Sequence, residues 1–400
     1  MAKATDAVKL RAIRVRKREE RRLLGGHLWV YSNEVDVDAT PLKDFEPGEP
    51  VEIHTAGGEF VASGYVNPHS LICARILSRD RARPPGVELL RQRLADALAL
   101  RERLYDAPWY RLAHGEGDGL PGLIVDRYGD VLVAQITTAG MERMKDEIVA
   151  ALQDLLAPRA ILWQNTSEVR TLEGLDRYTE PAAGAVPEAV VLPEHGAQFR
   201  VPLQRGQKTG WFFDQRENRA RLLPLVRGRR VLDVCAYLGA WGIEAAVHGA
   251  RDVLCVDSSA PAIDGVRHNA ELNGVAVRAL HADAFEGLRA LREAGERFDV
   301  VVLDPPAFIK RRKDVAEGRV AYQRLNALGL ALLDAGGLFV SCSCSFHMSE
   351  ADLVAVAQRA AARCGRFLRL LAAGGQAADH PVHPAIPETR YLKSLLLQAS

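Results

Sequence analysis

Apolar and polar residues alternate in short runs along the first fifth of the chain. Pro50–His54, Glu59–Val66 and Leu71–Leu77 each read as a strand, and Ala56-Gly57-Gly58 separates the first two as a turn. Short strands with Gly-rich turns predict a small barrel over about residues 8–80. The period then changes: Leu89, Leu90, Leu94, Leu98 and Leu104 recur at helical spacing and predict a helix from Val87 to Tyr105. Leu123–Ile136 reads as a hairpin turning at Gly129-Asp130. A second helix over Met141–Leu156 and a strand over Ala160–Gln164 complete a small α+β unit at about 85–180. Glu180–Pro193, punctuated by Pro181, Gly184, Pro187 and Pro193, reads as a connector.

From Arg230 the rhythm becomes strand, helix, strand, helix. Val231–Val234, Val253–Asp257, Val277–Leu280, Val300–Leu303 and Leu338–Ser341 are apolar strands. Helices fall at Gly239–Val247 and Pro261–Leu272, and Ala- and Leu-rich helices separate the later strands. Such alternation predicts parallel strands with helices on both faces. The fold class is therefore α/β: a Rossmann-like domain over about 190–400, behind an N-terminal β-barrel and a central α+β domain.

Composition narrows the setting. Four hundred residues imply more than one core. A hydrophobic content of 48% with 26% charged residues is that of a soluble globular chain. No stretch approaches the roughly 20 apolar residues of a membrane span, and the basic start lacks the apolar segment of a signal peptide. The net charge of +1 hides a basic cluster at Lys9, Arg11, Arg14, Arg16, Lys17, Arg18, Arg21 and Arg22. It reads either as a solvated face or as a phosphate-contacting surface. The six cysteines show neither metal-ligand spacing nor a disulfide framework, so no metal is expected and the reading is cytoplasmic.

The candidate chemistry lies at the strand ends. Val231–Val234 runs into Cys235-Ala236-Tyr237-Leu238-Gly239-Ala240-Trp241-Gly242, where glycines let backbone approach a ligand. Asp257 ends the next strand about 20 residues on, where a carboxylate accepts from ribose hydroxyls, and this suits NAD and S-adenosylmethionine alike. Asp283-Ala284 follows the third strand, a place to meet an adenine edge; each of these acids also suits a helix N-cap. Val300–Leu303 ends in Asp304-Pro305-Pro306-Ala307-Phe308, whose prolines stiffen a loop and aim carbonyls and a carboxylate into the crevice. A dehydrogenase has no need of that loop; a methyltransferase uses it to hold the acceptor base. The fifth strand enters Ser341-Cys342-Ser343-Cys344-Ser345. Carbon 5 of a pyrimidine becomes nucleophilic once a group adds to carbon 6, and a thiolate suits that addition. These cysteines also suit small buried strand positions, the two sulfurs facing one side.

Several segments resemble the bacterial large-subunit (23S) rRNA cytosine-5 methyltransferases of the RlmI type. They are Gly117–Tyr128 (GDGLPGLIVDRY), Gln207–Arg219 (QKTGWFFDQRENR), Asp304–Phe308, Ser343-Cys344-Ser345 and Ala378–Val382. The resemblance implies a PUA domain, a central α+β domain and a class I methyltransferase domain that uses S-adenosylmethionine on RNA. It implies cofactor contacts from Gln207, Phe213, Asp214 and Arg216, from Asp233, Tyr237 and Gly239, and from Asp257, Asp283, Ala284 and Asp304. It places the nucleophile on Cys344, with Asp304 beside it. Arg14, Arg16, Lys17, Arg18, Pro305, Pro306, Phe308 and Lys310 become candidate RNA contacts. Many RNA cytosine-5 methyltransferases carry a second cysteine after the Asp-Pro proline; Pro306-Ala307 stands here, so carbon 5 loses its proton to another base, Asp304 or water. The rivals are methylation of a base nitrogen, as on guanine, and an inactive RNA-binding assembly factor. Oligomeric state stays open, a homodimer included.

Overall fold

The computed structural model describes residues 10–204 and 209–400. The chain divides into two compact units, and each draws on distant segments. The first holds Met1–Glu188, Leu203–Trp211 and Asp379–Thr389; the second holds Ala189–Pro202, Phe212–Ala378 and Arg390–Ser400.

The first unit contains two five-stranded sheets. One orders Arg11–Arg14, Glu49–His54, Phe60–Val66, Ile72–Ser78 and Trp29–Tyr31 side by side. Its core gathers Ile13, Val30, Val51, Ile53, Val66 and Ile76, with Ile386 joining from the C-terminal segment. The other sheet orders Tyr178–Gly184, Ala160–Asn165, Val131–Ile136, Leu123–Tyr128 and Trp109–His114. The expected hairpin turns at Gly129-Asp130, with Gly129 at φ +66°. Helix Val87–Leu104 buries Leu90, Leu94 and Leu98 in the same cluster. The expected second helix divides at Met144 into Ala139–Arg143 and Lys145–Leu156.

The stretch expected as a connector is instead largely strand. Tyr178–Gly184 pairs with Ala160–Asn165, and Ala189–Glu194 pairs with Ala197–Pro202. Its prolines misled because Pro181 lies on an edge strand at a register shift and Pro193 in a two-stranded ribbon. There a missing N–H removes no ladder bond that matters.

The second unit carries a seven-stranded sheet. Its strands are β1 (Arg230–Val234), β2 (Asp252–Asp257), β3 (Arg278–His281), β4 (Phe298–Leu303), β5 (Leu333–Ser343), β6 (Leu368–Gly374) and β7 (Lys393–Ala399). The spatial order is β3-β2-β1-β4-β5-β7-β6, with β7 antiparallel to both neighbours. Helices α1 (Ala240–Val247), α2 (Ala260–Leu272), α3 (Ala284–Glu293), α4 (Val315–Ala331) and α5 (Glu350–Arg363) follow β1 to β5 in turn. Leu232, Val234, Val301 and Leu303 pack with Tyr322, Leu325 and Leu353 on one face. Val231, Val253, Val300, Val302 and Cys342 pack with Trp241 and Ala245 on the other. Cover on both faces explains why these strands read as apolar runs. The strand order reverses between β1 and β4, which opens a crevice at their C-terminal ends.

Candidate active site

The turn after β1 is strained and tightly held. Cys235 at φ +64°, Tyr237 at φ +50° and Gly239 at φ +83° all occupy the left-handed region. A non-glycine residue there costs of order 1–3 kcal/mol and persists where surroundings enforce it. Here the N–H groups of Cys235 and Ala236 donate to the Val256 carbonyl at 2.9 and 3.1 Å. Asp257 anchors the same turn: its Oδ2 accepts from Tyr237 N at 2.9 Å and its Oδ1 from Ser259 N at 2.9 Å. Gly239 then leads into α1.

Asp233 lies beneath this turn and is fully buried. Its Oδ2 accepts from Gly242 N at 3.0 Å, while Oδ1 has no hydrogen-bonding partner among the described residues. Burial, reinforced by the charges of Asp304 and Asp257, pushes its carboxyl up to about 7. A buried acceptor lacking a donor fits a ligand that brings one, such as an amino group. Asp283 is exposed and caps α3, accepting from Phe285 N at 2.9 Å and Glu286 N at 3.2 Å. Ala284 opens that helix.

Asp304 follows β4, and its N–H donates to the Val234 carbonyl at 3.2 Å. Its Oδ1 accepts from Gln215 Nε2 at 2.9 Å and its Oδ2 from Trp241 Nε1 at 3.2 Å. Burial pushes the carboxyl up to about 6, with Asp214 adding repulsion while the Trp241 and Gln215 donors oppose the rise. The Gln215 amide is itself fixed, its Oε1 accepting from Asn218 Nδ2 at 2.7 Å. Gln215 and Trp241 were not singled out in the sequence; position within the QKTGWFFDQRENR segment and the glycine turn was the available signal.

The remaining residues of that segment are placed as follows. Gln207 lies outside the described residues. Phe213 is buried, and the Arg216 guanidinium sits 5.1 Å from its ring centre. Asp214 Oδ2 accepts from the Tyr391 hydroxyl at 2.5 Å. Arg216 donates to Glu194 at 3.0 Å, and Arg219 pairs with both Glu194 and Glu244. Glu194, His195 and Glu244 hold ligand atoms within 4.8 Å of one another. The two arginines already balance that charge, so the cluster is an ion-pair network.

The fifth-strand motif separates its two sulfurs, contrary to the expectation that they share a face. β5 ends at Ser343, so strand alternation does not extend to Cys344. Cys342 is fully buried, and its Sγ donates to Ser394 Oγ at 3.4 Å. Burial, then the Asp304 charge, hold that thiol well above its ordinary range. Cys344 is half-buried, its Sγ 3.9 Å from the Pro305 carbonyl. Hydroxyls hold this end of the strand. Ser343 Oγ donates to the Tyr322 hydroxyl at 2.9 Å, and that hydroxyl lies 3.0 Å from Ser345 Oγ. Ser345 Oγ accepts from Ile309 N at 3.1 Å, and the Phe308 ring packs 4.7 Å from that of Tyr322. The loop after β4 and the motif after β5 are thus one connected piece, with Pro305 buried and Pro306 exposed.

The basic candidates are exposed: Lys310 in the second unit, and Arg14, Arg16, Lys17 and Arg18 in the first. No helix of the described residues is long and apolar enough to cross a membrane.

Residues 111–396 match the family model for S-adenosylmethionine-dependent methyltransferases, and residues 13–79 match a PUA-like domain. Ribosomal RNA large subunit methyltransferase I of Aeromonas salmonicida is 37% identical over 391 residues, 96% of this chain and 98% of that one. The protein of the same name from Photobacterium profundum is 36% identical over 386 residues, 94% and 96% of the two chains. SMU.776, assigned as a methyltransferase and crystallised with SAH, superposes with a TM-score of 0.83 at 20% identity. That match covers 97% of this chain and 100% of the other and is a likeness of fold.

Proposed function

The chain belongs to the ribosomal RNA large subunit methyltransferase I family of S-adenosylmethionine-dependent enzymes, and we propose that it methylates carbon 5 of one cytosine in large-subunit rRNA through Cys344. The observation that carries this reading is the position of Cys344. Of the two sulfurs in the motif it is the partly exposed one, and it lies against the Pro305 carbonyl, next to Asp304.

S-adenosylmethionine supplies an electrophilic methyl group on a sulfonium centre. Asp233, with its unpartnered buried oxygen, and Asp257, in the turn with Tyr237 and Gly239, are the residues that would hold it. Phe213, Asp214, Arg216, Asp283 and Ala284 are the proposed further contacts, with Gln207 from the segment outside the described residues. The Cys344 thiolate adds to carbon 6 of the cytosine, and the carbon 5–carbon 6 π electrons move to carbon 5, which becomes the nucleophile. After methylation carbon 5 loses its proton to Asp304 or water, the sulfur–carbon 6 bond breaks and the thiolate returns. Asp304, ionised at neutral pH and oriented by Gln215 and Trp241, accepts from the cytosine exocyclic amine. Pro305, Pro306 and Phe308 wall the base, and Arg14, Arg16, Lys17, Arg18 and Lys310 contact phosphates, which positions RNA without reading its sequence.

RNA carrying 5-fluorocytosine at the target tests the chemistry. Fluorine cannot leave as a cation, so a protein–RNA adduct should accumulate when S-adenosylmethionine is present. Cys344→Ser should abolish both trapping and turnover, and Cys342→Ser should retain much of both. Methylation that survives Cys344→Ser and Cys342→Ser alike would exclude covalent catalysis and move the acceptor to a base nitrogen.

A further inference from the structure

Lys393 opens β7 directly opposite Ser343, the last residue of β5, so the two strands deliver its side chain beside the cysteine motif. It is 4% exposed, an unusual place for an ammonium. Its Nζ donates to the Ser345 carbonyl at 2.5 Å and to the Tyr391 carbonyl at 2.9 Å. Among the described residues no carboxylate forms an ion pair with it, although buried cations almost always have one. Ser345 is the immediate neighbour of Cys344 in the chain, and a Cys344 thiolate is the negative charge that acts on Lys393.

We infer that Lys393 is the activating residue for Cys344: its ammonium is the standing counter-charge of the thiolate, so the nucleophile is ionised near neutral pH before RNA binds. The inference rests on Cys344 being the nucleophile. A buried lysine with two carbonyl acceptors is oriented but not neutralised. Ionising the neighbouring thiol supplies the missing charge, and the thiol proton leaves to solvent. The other titratable groups around the pair do not replace it. Tyr322 on α4 and Cys342 on β5 face Cys344 as neutral groups at pH 7. The Asp304 carboxylate in the loop after β4 carries charge of the thiolate's own sign and so opposes rather than supplies its ionisation, and Arg390 faces Lys393 with charge of the same sign. Burial and Arg390 hold Lys393 down to about 8, with Cys344 acting in the opposite direction, so enough ammonium remains at neutral pH to serve. Lys393 is thus a positioning residue in the electrostatic sense: it acts through the sulfur.

The test measures the sulfur directly. Full-length protein is alkylated with iodoacetamide across pH, and the rate at Cys344 is read by peptide mass spectrometry. Lys393→Met should raise the thiol midpoint by at least about one pH unit, which is about tenfold less thiolate at pH 7. Lys393→Arg should restore most of the thiolate, and S-adenosylmethionine affinity should stay unchanged in both, as a check on folding. An unmoved midpoint in Lys393→Met overturns the inference. Should that variant fail to fold, the reciprocal measurement decides: in ε-13C-lysine NMR, Cys344→Ser should lower the Lys393 midpoint, and an unchanged one overturns the inference equally. Neither readout needs turnover. Absence of the thiol shift therefore counts against Lys393, whereas methylation by Cys344→Ser counts against the covalent reading.

Discussion

Replacing Asp233 by Asn should stabilise the unliganded protein while weakening its hold on S-adenosylmethionine. The carboxyl accepts from Gly242 N and, at 3.9 Å, from Cys255 Sγ, both on one oxygen, and its other oxygen has no partner among the described residues, under the charges of Asp257 and Asp304. A rise from the ordinary 3.8 to about 7 amounts to roughly 4 kcal/mol at about 1.36 kcal/mol per pH unit, an upper figure for charging this group in the fold. The folded chain holds the proton more tightly than the unfolded chain. Stability from this group is therefore complete below about pH 4 and lost as pH rises through about 7. Asn carries no charge at any pH and can still accept from Gly242. Scanning calorimetry should find wild type and Asp233→Asn closer together at pH 5 than at pH 8, because only about a third of the roughly 4 kcal/mol is lost by pH 5. At pH 8 the variant should melt several degrees higher, since 1 kcal/mol is worth about 2–4 °C in a unit of this size. Titration calorimetry should show S-adenosylmethionine binding weakened tenfold or more, because a charge-assisted hydrogen bond is worth about 1.5–3 kcal/mol. A melting difference that does not change between pH 5 and pH 8 would refute the charge argument. Unchanged affinity would remove Asp233 from the cofactor site.

Three further outcomes are expected. Asp257→Ala should weaken S-adenosylmethionine binding roughly tenfold or more, since the carboxylate both orients the Tyr237 turn and is the expected ribose acceptor; calorimetry giving wild-type affinity would contradict this. Gly242→Ala would put a Cβ 2.5 Å from Cys255 Sγ and 3.4 Å from Asp233 Oδ2, so it should lower both the melting temperature and cofactor affinity; a variant with both at wild-type values would mean that the turn can yield. Neutralising Arg14, Arg16, Lys17 and Arg18 together should weaken RNA binding and flatten its salt dependence, at about 0.7–0.9 in log–log slope for each phosphate no longer neutralised. An unaltered slope would return these side chains to a merely solvated face.

The α/β half was legible in the sequence because both faces of its sheet are covered, so β1 and β4 appear as unbroken apolar runs. The strands Tyr178–Gly184 and Ala189–Glu194 were not, because proline is a breaker only where a ladder bond is removed, and edge status is a tertiary fact. Asp257 and Asp283 stood alike in the sequence, each at a strand end. The fold sends one to the turn after β1 and the other to the exposed cap of α3. The contacts of Gln215 and Trp241 with Asp304 span 89 and 63 residues, beyond any local pattern. Lys393 carried a faint signal, a lone cation heading the apolar run Leu395-Leu396-Leu397, with nothing to say what it faces.

The two cysteines differ in the same way. Sequence spacing gives Cys342 and Cys344 equal standing, and what separates them is where β5 stops. Cys342 is still within the strand, paired opposite Ser394, and its sulfur is spent in the core. Just beyond the strand end, the Ser345 N–H turns back to Ser343 Oγ at 3.2 Å, and the chain leaves the sheet at Cys344. That departure is held from both sides. Tyr322 joins the hydroxyls of Ser343 and Ser345, and Ser345 in turn holds Ile309 at the far end of the proline loop. The near end of the same loop is fixed where Asp304 N donates to Val234 at the end of β1. The proposed nucleophile and the proposed acceptor-positioning carboxylate therefore sit on two loops braced against each other, so on that reading the order required for addition is already present in the folded chain. Placement of this kind lowers a barrier by removing the entropy of bringing groups together. Cys344 is thus set apart by the end of a strand as much as by the sulfur itself.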